Sequence, residues 1–321
     1  MKPRYFIIGA VITIVAAYLL NSFYDSRYRQ DDFYKTQWAL KKQNQYYDYV
    51  VLGASHAYVG FDIGVADSIS GLKGINIALD GSLIGTQSVL ADLYFNHNKN
   101  KAKYLFFCID NPVGLNSELL ADIGDGRMMP YLNYDEAFDF YKQYGKKWYF
   151  DRYVPFWKYA EYNYYWGPHA MANTWTHMMK HDFDTASGSR YDFGHLYDNT
   201  DSALVVVDYD ADKAATEYKY FKKILQICKQ NNIKPVLFTL PLTRADSSEV
   251  SLKNIAAFQQ YCKSNNLDFV YLGHYLNYQF DYFSTRGHLN KKGAELSTRY
   301  FIDSAIQQHF IEPKAQVAAN N

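Results

Sequence analysis

A serine and a histidine at opposite ends of the chain carry the chemistry that this sequence could perform. Ser55 follows the apolar run 49–52 and a Gly-Ala pair, so it stands where a buried strand ends in a tight turn. His288 stands just before a helical pattern that begins at Leu289. A serine becomes a nucleophile when a neighbouring base takes its proton. We therefore expect the Ser55 hydroxyl and the His288 imidazole to meet as nucleophile and general base for acyl transfer.

An acidic side chain would be needed to orient this imidazole. The nearest acid before His288 in the sequence is Asp281, seven residues away. Taken singly, a serine after a strand or a histidine before a helix is more often a turn or helix-cap residue. The joint placement of Ser55 and His288 favours a shared site, because ligands bind at the carboxyl edge of open α/β sheets.

Alternating apolar runs and helical patterns predict the scaffold. Residues 49–52, 74–78, 104–109, 234–241 and 269–272 are predicted to contain strands, and helical spacing is found in 86–94, 210–231, 251–266 and 289–308. Strands separated by helices pair in parallel through right-handed crossovers. The predicted fold is therefore α/β, a flavodoxin-like three-layer sandwich with a mainly parallel sheet over 49–310. Residues 203–207 form either a further strand or the end of an insertion.

The amino terminus predicts a membrane anchor. Lys2 and Arg4 precede the uncharged stretch 5–20, whose sixteen helical residues would span roughly 24 Å of the ~30 Å hydrocarbon layer. Residues 21–24 can extend the helix, and the basic end stays in the cytoplasm. We predict a single-pass anchor over 1–24, a juxtamembrane connector over 25–48, and the remaining chain on the periplasmic or extracellular side. A cleaved signal peptide and a buried core helix are the alternatives.

An aromatic segment interrupts the α/β rhythm between residues 113 and 200. The chain contains 32 Tyr and 21 Phe, and many of them lie between Tyr131 and Trp175. We predict a mostly helical insertion over the carboxyl edge of the sheet. Most of its aromatic side chains should pack in the interior, and a subset could line a groove for sugar faces or acyl chains.

Composition excludes several other classes of protein. Lys and Arg total 33 and so do Asp and Glu, so no strong field points to nucleic acid. The three cysteines form no CxxC pair. His177 and His181 have the spacing of a metal pair, but no third ligand completes a recognisable motif, so we predict no metal and no cofactor. The polar tail 311–321 should be disordered.

Two short motifs resemble the SGNH/GDSL hydrolase superfamily. They are Gly53-Ala54-Ser55-His56 after the first strand and His288-Leu289-Asn290-Lys291-Lys292-Gly293-Ala294 near the end. The resemblance is strongest to the membrane-anchored, envelope-facing branch that includes DltD-like proteins, and it covers residues 48–111 and 203–305. It implies that Ser55 is the nucleophile and His288 the base. It also implies that the N–H groups of Ser55 and Gly81 and the amide of Asn111 bind the oxyanion.

One departure from the family pattern leaves two functions open. The family usually has an aspartate three residues before the histidine, where this sequence has Thr285. Losing the orienting carboxylate of a Ser-His-Asp triad lowers turnover about 10⁴-fold. Asp281 could substitute if its loop folds back. The chain is then a serine esterase or O-acyltransferase acting on acyl or acetyl esters of a cell-envelope glycan. Alternatively, it is a catalytically degenerate SGNH-fold protein that binds a glycan or a membrane acyltransferase partner.

Overall fold

The computed structural model of the chain describes residues 3–109, 126–167, 172, 183–194, 215–243, 249–285 and 287–314. Asn111, His177, His181 and the segment 203–207 lie outside the described residues. The chain forms two compact units. One consists of residues 1–42 and 123–181, and the other of residues 43–122 and 182–321.

Strands and helices of the described residues alternate along the second unit, whereas the first unit is helical. The strands β1 to β5 are Tyr49–Leu52, Gly74–Asn76, Tyr104–Cys108, Lys234–Phe238 and Asp268–Val270. The helices α1 to α12 are Pro3–Gln30, Lys35–Lys41, Ser55–Gly60, Ile63–Ser70, Ile84–Asn96, Asp135–Tyr141, Lys147–Tyr153, Trp157–Glu161, Asn163–Trp166, Ala215–Gln230, Glu249–Ser264 and Lys291–Gln307. Short 3₁₀ helices are found at Gly126–Tyr131, Lys142–Tyr144 and Phe280–Tyr282.

A parallel sheet organises the second unit. Its five strands are ordered β2-β1-β3-β4-β5, and every neighbouring pair is parallel. The central strands β1 and β3 are buried along their whole length, as expected for parallel strands covered on both faces. The predicted α/β class and the predicted parallel sheet are therefore confirmed.

Helices cover both faces of this sheet. Phe106 and Phe107 are neighbours in β3 and point to opposite faces. Phe106 packs against Phe301 of α12 with ring centroids 5.2 Å apart, and Phe107 packs against Phe221 of α10 at 6.1 Å. The second unit is thus the three-layer sandwich that the sequence predicts. The carboxyl ends of all its strands lie along one edge, where β1 leads into α3.

The chain after α12 is attached to the second unit. Ile311 is buried, and the Lys314 ammonium pairs with the Asp48 carboxylate at 2.7 Å. The N–H of Lys314 also donates to the carbonyl of Ser70. These contacts hold residues 311–314 in place, and the rest of the predicted tail lies outside the described residues.

The first unit combines α1 and α2 with the aromatic insertion. Residues 126–167 form α6 to α9 and two 3₁₀ helices, so the described part of the insertion is mostly helical, as predicted. Trp148 and Trp166 are fully buried, and Trp148 packs on Tyr141 at 4.4 Å. Helix α1 is long and apolar enough to cross a membrane. It ends at Gln30, beyond the predicted end of the anchor at residue 24.

Candidate active site

The turn after β1 presents Ser55 at the carboxyl edge of the sheet. Strand β1 ends at Leu52, and α3 begins at Ser55, which is partly exposed. Only a residue without a side chain fits at position 53. A Cβ there would lie 2.7 Å from the Cβ of Ala57 and 3.0 Å from the Cβ of Cys108. The close packing of β1, α3 and β3 at this glycine fixes where the Ser55 hydroxyl emerges.

A tight loop before α12 presents His288. Phe283 and Leu289 form an antiparallel bridge, and the N–H of Ser284 donates to the carbonyl of His288 at 2.9 Å. Phe283 and Ser284 therefore pair with the returning segment that carries His288. This geometry explains why the histidine precedes the helix by a few residues instead of lying within it.

Asn290 attaches this loop to α12. Its side-chain carbonyl accepts from the N–H of Gly293 at 3.1 Å, which caps the helix. Its side-chain amide donates to the carbonyl of Asp281 at 2.7 Å. Because the Asn290 side chain is buried, losing these bonds would leave polar groups without water. The cap thus sets the distance between the His288 loop and the helix.

Ser55 and His288 are in hydrogen-bond contact. The Ser55 Oγ lies 2.9 Å from the His288 Nε2. The two residues are 233 positions apart in the sequence, and the parallel sheet brings them to the same edge. A hydroxyl at this distance from an imidazole nitrogen can transfer its proton to that nitrogen.

A hydroxyl occupies the position opposite Ser55 on the imidazole. The Thr285 Oγ1 lies 2.9 Å from the His288 Nδ1 and also accepts from the backbone N–H of His288 at 3.2 Å. A carboxylate can only accept the Nδ1 proton, whereas a hydroxyl can either accept or donate. Thr285 therefore fixes the ring orientation but permits both neutral tautomers. Only the tautomer with hydrogen on Nδ1 leaves Nε2 free to take the Ser55 proton.

Asp281 takes part in the loop through its backbone. It lies in the 3₁₀ helix Phe280–Tyr282 and is exposed, and its carbonyl accepts from the Asn290 amide. The Nδ1 contact predicted for its carboxylate is made by Thr285 instead. A catalytic role for Asp281 stays a prediction.

Another carboxylate, Asp192, lies close to the His288 loop. Its main-chain carbonyl accepts from the N–H of Lys291 at 2.7 Å. The pKa of Asp192 is held below its usual range, mainly because its carboxylate accepts from the N–H of Gly194, with further contributions from Ser284, Arg190 and His288. The negative charge of Asp192 therefore favours a positive charge on His288. Sequence reasoning did not find Asp192, because nothing in its local sequence links it to the histidine loop.

His56 is a second histidine at the site. Its ring centroid lies 5.1 Å from that of His288. Gly287 passes close to it, since a Cβ on Gly287 would lie 3.0 Å from the His56 Nε2. His56 directly follows Ser55 in the sequence, so adjacency to Ser55 was the signal that could have identified it.

The predicted oxyanion donors are only partly within the described residues. The N–H of Leu79 donates to the carbonyl of Gly53 at 3.1 Å, so the turn containing Gly81 runs alongside the turn containing Ser55. Gly81 has a φ of 62°, which favours glycine, and the space around its missing Cβ is open to 4 Å. Asn111 lies outside the described residues.

No metal site accompanies this pair within the described residues. Among them, no three His, Cys, Asp or Glu side chains lie close enough to hold an ion. The cysteines are buried, and burial raises the pKa of the Cys228 and Cys262 thiols to about 12. A thiol that stays protonated is a poor nucleophile. Within this part of the chain, the nucleophile that the geometry offers is the hydroxyl of Ser55.

Comparison with known proteins yields only distant structural likeness. No family model and no curated protein matches the sequence. Several solved structures match. One is the crystal structure of a "putative acylhydrolase" from Bacteroides fragilis, with 12% identity, a TM-score of 0.38 and coverage of 80% of this chain and 87% of that chain. A likeness this weak carries no argument about activity, so the functional interpretation rests on the geometry of the site.

Proposed function

We propose that this chain is an SGNH-type serine esterase or O-acyltransferase, similar to DltD-like envelope proteins. The observation that carries the proposal is the 2.9 Å contact between the Ser55 Oγ and the His288 Nε2. That contact joins the two short segments on which the resemblance rests. The proposed substrate class, acyl or acetyl esters of a cell-envelope glycan, comes from the resemblance alone.

The reaction proceeds through an acyl-enzyme. His288 Nε2 takes the Ser55 proton while the Ser55 Oγ attacks the ester carbonyl carbon and forms a C–O bond. The tetrahedral intermediate then collapses, the bond to the leaving alcohol breaks, and His288 returns the proton to that alcohol. Water or a glycan hydroxyl repeats the same steps on the acyl-Ser55, giving hydrolysis or transfer respectively. Water in the second half makes the protein an esterase, and a sugar hydroxyl makes it an acyltransferase.

Backbone N–H groups are the proposed oxyanion donors. The N–H groups of Ser55 and Gly81 would donate to the oxyanion, together with the amide of Asn111. One such donor contributes about 3–4 kcal/mol to stabilisation of the transition state. Parallel passage of the Ser55 and Gly81 turns supports the first two assignments. The assignment of Asn111 comes from the resemblance alone, because this residue lies outside the described residues.

Helix α1 is proposed to anchor the chain in the membrane, with the catalytic unit on the periplasmic or extracellular side. Side chains of α1 before residue 24 bond to the insertion: the Tyr18 hydroxyl donates to the carbonyl of Tyr153, and the Asn21 side chain accepts from the N–H of Phe156. Cleavage at residue 24 would remove both contacts, which favours an uncleaved anchor. A membrane acyltransferase is the proposed protein partner.

Labelling with a fluorophosphonate probe tests the proposed nucleophile. We expect the full-length protein in detergent to react with the probe and to hydrolyse p-nitrophenyl acetate. Ser55→Ala should abolish both reactions, whereas Ser68→Ala should retain them. Ser68 is an exposed serine of α4, which leads into the amino-terminal end of β2 at the opposite edge of the sheet. Equal labelling of wild type and Ser55→Ala would refute the proposal.

A non-catalytic binding protein is the second candidate. The observation that favours it is the hydroxyl of Thr285 at the Nδ1 position, where a triad has a carboxylate. Such a protein would bind a glycan or a membrane acyltransferase partner through the same fold. Glycan binding that survives in Ser55→Ala, with no ester hydrolysis by wild type, would identify this candidate.

A further inference from the structure

One face of α1 is joined to the aromatic insertion along its last three turns. The contacts occur in the same order along α1 and along the segment 153–166 of the insertion. Tyr18 donates to the carbonyl of Tyr153 at 2.5 Å, Asn21 accepts from the N–H of Phe156 at 2.9 Å, Asp25 pairs with Lys158 at 2.8 Å, and Tyr28 donates to the carbonyl of Trp166 at 3.2 Å. Spacings of three and four residues place these α1 side chains on one face of the helix. The residues of the insertion that make these contacts therefore lie beside α1, each at the level of its partner.

The contact between Tyr18 and Tyr153 is the one nearest the amino terminus of α1, and it lies inside the apolar part of that helix. Residues 5–24 contain no charged side chain and, as a helix, span about 30 Å, the thickness of the hydrocarbon layer. Tyr18 lies six residues before the end of that stretch, or about 9 Å from it. The carbonyl of Tyr153 touches the Tyr18 hydroxyl. Tyr153 therefore lies at the depth of the outer acyl chains if α1 spans the membrane.

Around Tyr153 the insertion exposes a continuous apolar surface. We call it the aromatic patch, and it consists of Tyr149, Phe150, Tyr153, Val154 and Trp157. Phe150 and Trp157 are 54% and 51% exposed, and their ring centroids are 6.2 Å apart. Exposed aromatic side chains that adjoin one another are costly in water and are enriched at membrane interfaces.

Three ion pairs lie near the patch, and pairing lowers the cost of placing these charges close to lipid. Arg152 pairs with Asp135 at 2.9 Å and packs over the ring of Phe138. Lys147 pairs with Glu161 at 2.7 Å, and Lys158 is buried with Asp25. An unpaired charge at this depth would oppose insertion, whereas paired charges oppose it less.

We propose that the aromatic patch inserts into the bilayer leaflet where α1 leaves the membrane, as a second lipid contact beside the spanning helix. This inference rests on the proposed anchoring role of α1 and is independent of the ester chemistry. Interfacial segments of this kind bury their apolar face about 5–10 Å into the headgroup and acyl boundary. The patch would hold α7 and α8 at the membrane surface.

Depth-dependent quenching tests this arrangement in the full-length protein. An environment-sensitive fluorophore is attached to a cysteine introduced by Phe150→Cys, Ile12→Cys or Tyr164→Cys, in phosphatidylcholine nanodiscs with spin-labelled acyl chains. The native cysteines are buried and should not be labelled. Ile12 reports on α1 itself and is 62% exposed. Tyr164 is the matched control, because it is 81% exposed on the same insertion but lies near the level of Tyr28, above the apolar stretch.

The three positions separate the possible outcomes. We expect strong quenching at positions 12 and 150, with quenching at position 150 several-fold greater than at position 164 and a blue-shifted emission. Strong quenching at position 12 with equal, weak quenching at positions 150 and 164 would refute insertion of the patch and would still support α1 as the anchor. Weak quenching at position 12 would overturn both. A thermal unfolding transition like that of wild type verifies folding in each variant, and probe labelling of Ser55 reports separately on the proposed chemistry.

Discussion

Replacing Thr285 by aspartate should raise the activity of the Ser55–His288 pair. The Thr285 Oγ1 already lies 2.9 Å from the His288 Nδ1, so an aspartate there would accept the Nδ1 proton without moving the loop. The added carboxylate would also attract the imidazolium that forms when Ser55 is deprotonated. It would exclude the unproductive tautomer that a hydroxyl permits. Both effects stabilise the transition state and leave the resting contact to Ser55 unchanged.

The size of the effect follows from the exposure of Thr285. Two opposite charges about 4 Å apart attract by about 1 kcal/mol at the dielectric constant of water and by about 4 kcal/mol at an effective value of 20. Thr285 is exposed, so the lower part of that range applies. We therefore expect about 1–2 kcal/mol, or a five- to thirtyfold rise in kcat/KM. This is far below the 10⁴-fold effect of a buried triad aspartate.

Hydrolysis of p-nitrophenyl acetate across pH measures this change. Thr285→Asn is the matched control, because it has the shape of aspartate without the charge. The acid limb of kcat/KM should move to higher pH in Thr285→Asp, since a neighbouring carboxylate keeps the imidazole protonated longer. An unchanged plateau in a folded, probe-reactive Thr285→Asp protein would refute the reasoning. If wild type is inactive and Thr285→Asp is active, the protein is a degenerate enzyme whose scaffold is intact.

Four further substitutions test other parts of the structure. Asp192→Asn should lower kcat/KM by up to about fivefold and move its acid limb to lower pH, since a charge that is partly exposed contributes about 1 kcal/mol or less. A greater loss in Asp281→Asn would identify Asp281 as the orienting acid. Asn290→Ala should cost about 1–3 kcal/mol of stability in thermal unfolding and slow probe labelling of Ser55, because it removes both the helix cap and the loop bond. Burial and the negative charge of Glu161 raise the pKa of Asp151 to about 7, against opposition from Lys147 and Lys158. The folded state then holds a proton that the unfolded state releases, so stability should fall as pH rises from about 4 to 7, and Asp151→Asn should flatten this dependence of Tm.

The sheet and the central pair could be predicted from the sequence because each depends on a local signal. Strands β1 and β3 are short uninterrupted apolar runs, and such runs in an α/β alternation form buried parallel strands. The carboxyl ends of parallel strands share one edge, so a serine after β1 and a histidine after the last strand approach each other for topological reasons. The 2.9 Å distance between them is the consequence.

The surroundings of the imidazole could not be predicted in the same way. Thr285 is adjacent to His288 in sequence, but whether its hydroxyl or the Asp281 carboxylate faces Nδ1 depends on how the loop closes. That closure is set by the Asn290 cap and by the bridge between Phe283 and Leu289. Asp192 approaches from a segment about a hundred residues away. Its position depends on a backbone bond to the start of α12, and such bonds carry no sequence pattern.

The environment of Asp25, near the end of α1, could not be predicted from the sequence either. Asp25 is the first acid after the apolar stretch, and a sequence pattern places the membrane boundary just before it. In the structure α1 continues through Asp25, which is fully buried and bonded to Lys158, Asn133 and Tyr159. Removing one member of a buried ion pair typically costs 3–5 kcal/mol, because the other charge is left without a partner. A chain that lacks residues 1–25 would leave Lys158 without the Asp25 carboxylate, so α1 is part of the folded insertion as well as a proposed anchor. Its removal should destabilise the insertion even in detergent, where no membrane contact is lost.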